Sequence, residues 1–279
     1  MDGMNKKQVR ARRARAGGYA PTHPLHFTTL TVLGTCLLGA VSASTAWADD
    51  GDAAHYPGRT EYAAPLADMP PAVDGVADER IWEKSQWQNL THRWLGPEYT
   101  PDDFQGRYKV VWSGNKLYML AEFVDDVLYD GHRDPLVQYW NDDALEIFVD
   151  ENFSGGDHQF NHNAFAYHVA LDNQSIDVGT DRQPHNYSSH VDSVWKQHGD
   201  RLIWEVAIDL YPDTYRDDAD DNTPVKLHAG KVIGLMVAYC DNDGSEQREN
   251  FVGSEFAPGE DKNRGWIDAG LFGKLLLTD

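Results

Sequence analysis

Ser193-Val194-Trp195-Lys196-Gln197-His198 and Leu202-Ile203-Trp204-Glu205-Val206-Ala207-Ile208 stand on either side of the turn pair Gly199-Asp200. Val194, Leu202, Trp204, Val206 and Ile208 place apolar side chains at every second position, the period of a strand with one buried face. A Gly-Asp pair between two such runs predicts a β-hairpin. The same pattern occurs upstream, where Tyr108–Trp112 and Leu117–Val124 flank Gly114-Asn115. Further strands are expected at Ala144–Val149, Phe165–Leu171, Val232–Cys240 and Gly273–Leu277. The Val232–Cys240 run is almost wholly apolar, as in a strand covered on both faces. No amphipathic helix longer than two turns stands out, and the best candidate is Asp78–Trp87. Many short strands with little helix between them predict an all-β fold, a jelly-roll-like sandwich of two antiparallel sheets.

The first 48 residues read as an export signal. Lys6, Lys7, Arg10, Arg12, Arg13 and Arg15 precede an apolar run over Leu30–Ala43, and Ala46-Trp47-Ala48 has the small-x-small form that signal peptidase cuts. The apolar run falls short of the roughly 20 residues that a bilayer span needs. A lipid anchor would require Cys36, which follows a bulky Thr35. Cleavage after Ala48 therefore predicts a secreted or periplasmic protein, with residues 49–69 as a flexible lead-in and 70–279 as one domain. The whole chain holds 24 Lys+Arg and 45 Asp+Glu; without the six basic residues and Asp2 of the leader, the remaining 231 residues carry a net charge of −26. Such a surface repels phosphate backbones and anionic headgroups, so neither nucleic acid nor membrane insertion is expected. Cys36 and Cys240 are the two cysteines, and Cys240 lies in the apolar run Leu235–Cys240, where it reads as a small buried hydrophobe.

Read in order, several segments resemble the family 9 carbohydrate-binding modules. Val73-Asp74-Gly75 with Trp82 comes first, then Val110, Trp112, Leu117-Tyr118 and Asp125-Asp126. The most distinctive element is Trp140, Asp143 and Glu146-Ile147-Phe148-Val149-Asp150, followed by Trp204–Ile208, Asp241-Asn242-Asp243 and Phe272-Gly273-Lys274-Leu275. The resemblance implies a non-catalytic sugar-binding domain in which two tryptophans sandwich a sugar ring. Carried over position by position, it points to Trp140 and Trp266 as the aromatic pair. Glu146, Asn263 and His168 are then the polar partners, with His168 standing where the family has a basic residue. It also implies an oligo- or polysaccharide of the xylan or cellulose type as partner, and a structural calcium with no organic cofactor.

The chemistry of the residues agrees with that assignment. A sugar offers an axial C–H face that suits an indole and a hydroxyl rim that suits carboxylate, amide and imidazole groups. Trp140 sits beside Asn141-Asp142-Asp143, and Trp266 follows Asp261-Lys262-Asn263-Arg264-Gly265, both polar settings. The plain alternative makes each a packing residue under a loop, as is expected for Trp112 and Trp204 within alternating strands. Asp241-Asn242-Asp243-Gly244 and Asp217–Asn222 offer carboxylates to calcium, though neither makes a complete calcium loop. His158 and His162 are four apart in a loop-like stretch, a poor zinc pattern. A haem-binding electron-transfer domain on a similar sandwich is the second reading, needing Met119 or Met236 to face one apolar pocket with His168. A glycoside hydrolase is the third, but with so many carboxylates a suitably spaced pair arises by chance.

Overall fold

The computed structural model describes residues 55–279; the export signal and Cys36 lie outside them. The described chain forms fourteen strands in two packed sheets. The smaller sheet orders its five strands β10 (Val191–His198), β11 (Arg201–Asp209), β5 (Lys116–Asp125), β4 (Phe104–Ser113) and β2 (Gln88–Leu90). The larger runs β1 (Glu61–Pro65), β14 (Gly273–Thr278), β12 (Val232–Asp241), β6 (Ala144–Asp150), β7 (Phe165–Ala170), β8 (Ser175–Val178) and β9 (Pro184–Asn186). On its flank, β13 (Asn250–Gly253) pairs with β12 and with β3 (His92–Leu95).

Both expected hairpins close through two-residue loops. His198 pairs with Arg201 around Gly199 (φ +70°), and Ser113 with Lys116 around Gly114 (φ +58°), backbone angles that glycine adopts without steric cost. The register corrects one position. Val194 faces Glu205, whereas Trp204, Val206 and Ile208 share their face with Trp195, Ser193 and Val191. Val194 therefore lies on the opposite side of the sheet from the apolar set, because residues opposed across an antiparallel pair point the same way.

A second correction concerns the lead-in. Residues 61–65 of the supposed flexible segment form β1, which pairs parallel to the C-terminal β14 with Ala64 fully buried. Glu61-Tyr62-Ala63-Ala64-Pro65 lacks an apolar alternation, and its partner lies more than 200 residues away, so local patterning cannot reveal it. Every other pairing between the named strands is antiparallel, as expected of the sandwich. Asp78–Trp87 makes only a short 3-10 turn at Arg80–Glu83, in which Trp82 alone is buried. One apolar side chain cannot anchor a longer amphipathic helix.

Between the sheets lies one large core that includes Tyr108, Phe123, Trp204, Tyr167 and Tyr239. The larger sheet is covered on its other face as well. Along β12, Ile233, Leu235, Val237 and Tyr239 point into the inter-sheet core, while Met236, Ala238 and Cys240 join a second cluster with Phe148, Trp94 and Phe272. This is why β12 reads as a continuous apolar run. Strand β6 alternates likewise, but its outer face carries Glu146 between Ala144 and Phe148.

At the edge of the inter-sheet core, His190 is 2% exposed and sits between two phenols. Its Nδ1 bonds Tyr167 Oη at 2.9 Å and its Nε2 bonds Tyr215 Oη at 3.1 Å. Burial, with a smaller contribution from His162, depresses its pKa to about 4. A depressed histidine contributes stability that is complete above the unfolded pKa near 6.5 and is lost as pH falls toward 4, on the order of 3 kcal/mol in all. Thermal unfolding across that range is expected to show a steep acid limb in the wild type and a shallower one in His190→Gln.

Candidate functional site

A cavity of about 500 Å³ lies on the outer face of the larger sheet. Its lining includes all five residues singled out from the sequence: Trp140, Glu146, His168, Asn263 and Trp266. They converge from four separate segments. Glu146 comes from β6 and His168 from β7, Trp140 from the loop joining β5 to β6, and Asn263 and Trp266 from the loop joining β13 to β14.

The floor is a buried ion pair. Glu146 and His168 are opposed in the β6–β7 register, and His168 Nε2 lies 3.2 Å from Glu146 Oε2 with both side chains almost fully buried. Burial alone would lower the His168 pKa, but the Glu146 carboxylate and a hydrogen bond that the ring donates to Cys240 outweigh it and raise it. The residue in the basic position is therefore an imidazolium held by its carboxylate.

Trp140 is held by its flanking acids. Asp142 accepts from Gly131 N and His132 N, each at 3.0 Å, and Asp143 accepts from Tyr129 N at 2.6 Å and Asn242 N at 2.8 Å. These carboxylates are buried buckles, whereas the sequence suggested only a polar flank. Gln138, which lines the cavity, has φ +52°, a left-handed conformation that a non-glycine residue holds only when its surroundings impose it. Trp140 itself is 43% exposed, and its ring meets Tyr139 edge-on at 5.1 Å. Tyr139 in turn packs edge-on against His168 at 4.8 Å.

On the other side, His158 Nε2 donates to Gly265 O at 2.7 Å. Gly265 lies so close to Phe148 and Met236 that a Cβ there would come within 2.5 Å of Met236 Cε. With glycine there the loop lies flat on the sheet and presents half-buried Trp266, whose ring packs edge-on against Phe160.

Sequence reasoning missed Arg248. Its guanidinium enters the cavity from the loop joining β12 to β13, with Nη1 donating to Cys240 Sγ at 3.1 Å and Nη2 to Asn263 Oδ1 at 3.2 Å. The group stacks over Phe251 at 4.0 Å. The site therefore contains a guanidinium, delivered from the loop that follows Asp241-Asn242-Asp243-Gly244; Gln247-Arg248 just beyond that run was the available signal. Asp177 on β8 also lines the cavity.

The metal candidates separate. Asp217 is not free for calcium, since Tyr187 Oη donates to it at 2.6 Å and His162 Nε2 bonds it at 3.0 Å. His158 and His162 take those different partners and do not converge. Asp241 and Asp243, in contrast, gather with Asp125, carboxylate oxygens within 4.8 Å of one another, and Asp243 also meets Asp103 and Asp126. Burial, followed by repulsion from Asp125, pushes Asp143 up to about 9 and Asp241 to about 8, and burial raises Asp125 to about 6. Neither Met119 nor Met236 lines the cavity that holds His168; Met119 fills the inter-sheet core and Met236 the outer cluster.

The family model described as carbohydrate family 9 binding domain-like matches residues 73–279. The chain is 25% identical over 208 residues to endo-1,4-β-xylanase A of Thermotoga maritima, an alignment covering 74% of this chain and 17% of the xylanase. The corresponding enzyme of Thermotoga neapolitana is 24% identical over 213 residues with the same coverage, so the chain spans about a sixth of the curated relatives it matches. A family 9 carbohydrate-binding module from Caldicellulosiruptor kristjanssonii in complex with cellotriose superposes with a TM-score of 0.58 at 22% identity, covering 78% of this chain and 94% of that one. A structure of such a module from the same organism with glucose gives 0.57 at 21% identity, covering 78% and 96%.

Breaking the floor pair on one side leaves a buried charge unpaired, so Glu146→Ala is expected to cost about 3–5 kcal/mol. In urea denaturation, a Glu146→Ala/His168→Ala double variant recovers part of that loss.

Proposed function

The chain belongs to the carbohydrate family 9 binding domain-like proteins, and from that premise we propose that its outer-face cavity binds a sugar without catalysing its cleavage. The observation that carries this reading is the convergence of two tryptophans, a carboxylate, an amide and two cations on one cavity of about 500 Å³. Trp140 and Trp266 offer indole faces to the C–H surface of a pyranose ring. Glu146, His168, Asn263 and Arg248 surround it with acceptors and donors for hydroxyls. Arg248 and Asn263 are already bonded to each other, so they present a fixed pair at little ordering cost.

The substrate class in this reading is a β-1,4-linked glycan of the cellulose or xylan type. The structural relatives are described with cellotriose and glucose, and the curated relatives are xylanases. A role in polysaccharide breakdown outside the cytoplasm accords with the export signal read from residues 1–48. Among the described residues no helix is long and apolar enough to cross a membrane.

The reading extends to a structural calcium at Asp125, Asp241 and Asp243. Their donors are all carboxylate oxygens, the hard ligands that calcium takes, drawn from the end of β5 and the end of β12. A divalent cation there would offset their mutual repulsion and tie the two sheets together at that end.

Titration of the protein with cello- and xylo-oligosaccharides is expected to shift or quench indole fluorescence saturably. Trp140→Ala and Trp266→Ala each weaken binding by more than about tenfold. Unchanged affinity in both variants would overturn the site. In a separate thermal series, calcium raises the melting temperature of chelator-treated wild type by several degrees and leaves Asp241→Asn/Asp243→Asn unmoved.

A further inference from the structure

Cys240 packs in the outer hydrophobic cluster, as its apolar run predicts, but its sulfur also meets charged groups. It is fully buried, yet Glu146 Oε2 lies 3.8 Å from its sulfur and Arg248 Nη1 lies 3.1 Å from it. A donor atom from each of Glu146, His168 and Cys240 lies within 4.8 Å of the other two. We infer that these three residues, on the adjacent strands β6, β7 and β12, form a binding site for a zinc-class divalent cation in the floor of the cavity.

The donor set carries the inference. A thiolate, an imidazole and a carboxylate together are a borderline-soft combination that suits zinc and its neighbours and does not suit calcium or magnesium. Two of the three donor separations are close to the edges of a tetrahedron around such an ion. Bond lengths of about 2.0–2.1 Å to nitrogen and oxygen and about 2.3 Å to sulfur give ligand edges of about 3.3 Å for N–O and about 3.6 Å for S–O. The corresponding separations here are 3.2 Å and 3.8 Å.

The surroundings hold the donors in place. Three neighbouring inner strands of the larger sheet supply them, so the backbone is rigid. His168 Nδ1 lies 3.3 Å from Ala166 O, which directs Nε2 toward the other two donors. Arg248 Nη1 lies against the sulfur and remains as a hydrogen-bond donor to a metal-bound one. Binding replaces the protons on Sγ and Nε2 with the metal. Glu146 and His168 also line the cavity, so the cation has three protein ligands and faces the space in which a water or a hydroxyl supplies the fourth. The site is distinct from the all-carboxylate group at Asp125, Asp241 and Asp243, and it does not depend on sugar binding.

The test uses the full chain, stripped with chelator under reducing conditions and then held in excess calcium. Cobalt(II) is added as a spectroscopic probe, and zinc(II) is titrated by calorimetry. The expected result is one cobalt per chain with a thiolate-to-cobalt charge-transfer band and intense visible d–d bands, both abolished by zinc. In Cys240→Ser the charge-transfer band disappears and zinc affinity falls by at least about tenfold; His168→Gln shows a comparable loss of affinity. A wild-type spectrum without the thiolate band overturns the inference irrespective of how the variants fold, as does equal zinc affinity in wild type and Cys240→Ser. Oligosaccharide titration of the same stripped sample reads the sugar site separately, so either proposal can fail alone.

Discussion

A charged pair buried in the middle of a sheet constrains everything built above it. Glu146 and His168 face one another on β6 and β7, on the side away from the inter-sheet core. Two opposite charges taken out of water are tolerable only where they meet closely and in fixed geometry. Central strands provide that, because each is hydrogen-bonded on both sides and packed on both faces. The pair in turn denies the outer face an all-apolar character, so the loops above it cannot seal it as they seal Phe148 and Met236 next door. A cavity with polar ground remains where the second core would otherwise continue.

The loops around that cavity are held by buried polar contacts more than by apolar burial. Asp142 and Asp143 each take two backbone amides, and Asn242 Nδ2 donates to Asn141 O, so the segment bearing Trp140 is fastened to the end of β12. Opposite, the Gly265 backbone rests on Phe148 and is held by His158. The consequence is a half-exposed indole on a firm mount. Preorganisation of this kind matters for sugar recognition, where each hydroxyl bond replaces one to water and the net gain per contact is small.

Much of this was legible in the chain because the decisive elements are long and regular. The two hairpins, β6 and β12 announce themselves by alternation or by unbroken apolar runs, and the ordered resemblance placed five residues that share one cavity. What escaped did so for physical reasons. Strand β1 has five residues and a partner at the other end of the chain, and β8, β9 and β13 are three or four residues long, too short for a period to be read. Arg248 was passed over because its role depends on where the loop after β12 folds back, which no local pattern states. Val194 was placed on the wrong face because an apolar residue at the right spacing in one strand says nothing about register with the next. Asp143 read as polar flank although it is fully buried, since its two amide partners come from residues 14 and 99 positions away.

The parallel pairing of β1 with β14 sets how the fold bears tension. Glu61 is opposite Lys274 and Pro65 opposite Thr278, so both strands run in the same direction along one edge of the larger sheet. Pulling the leading end of β1 and the trailing end of β14 apart slides the strands along each other and stresses their cross-strand bonds together. An antiparallel pair at the same edge would open like a zipper, one bond at a time. A domain held at one terminus and dragged at the other thus meets load with its edge in shear, the geometry in which a few short hydrogen bonds resist the greatest force.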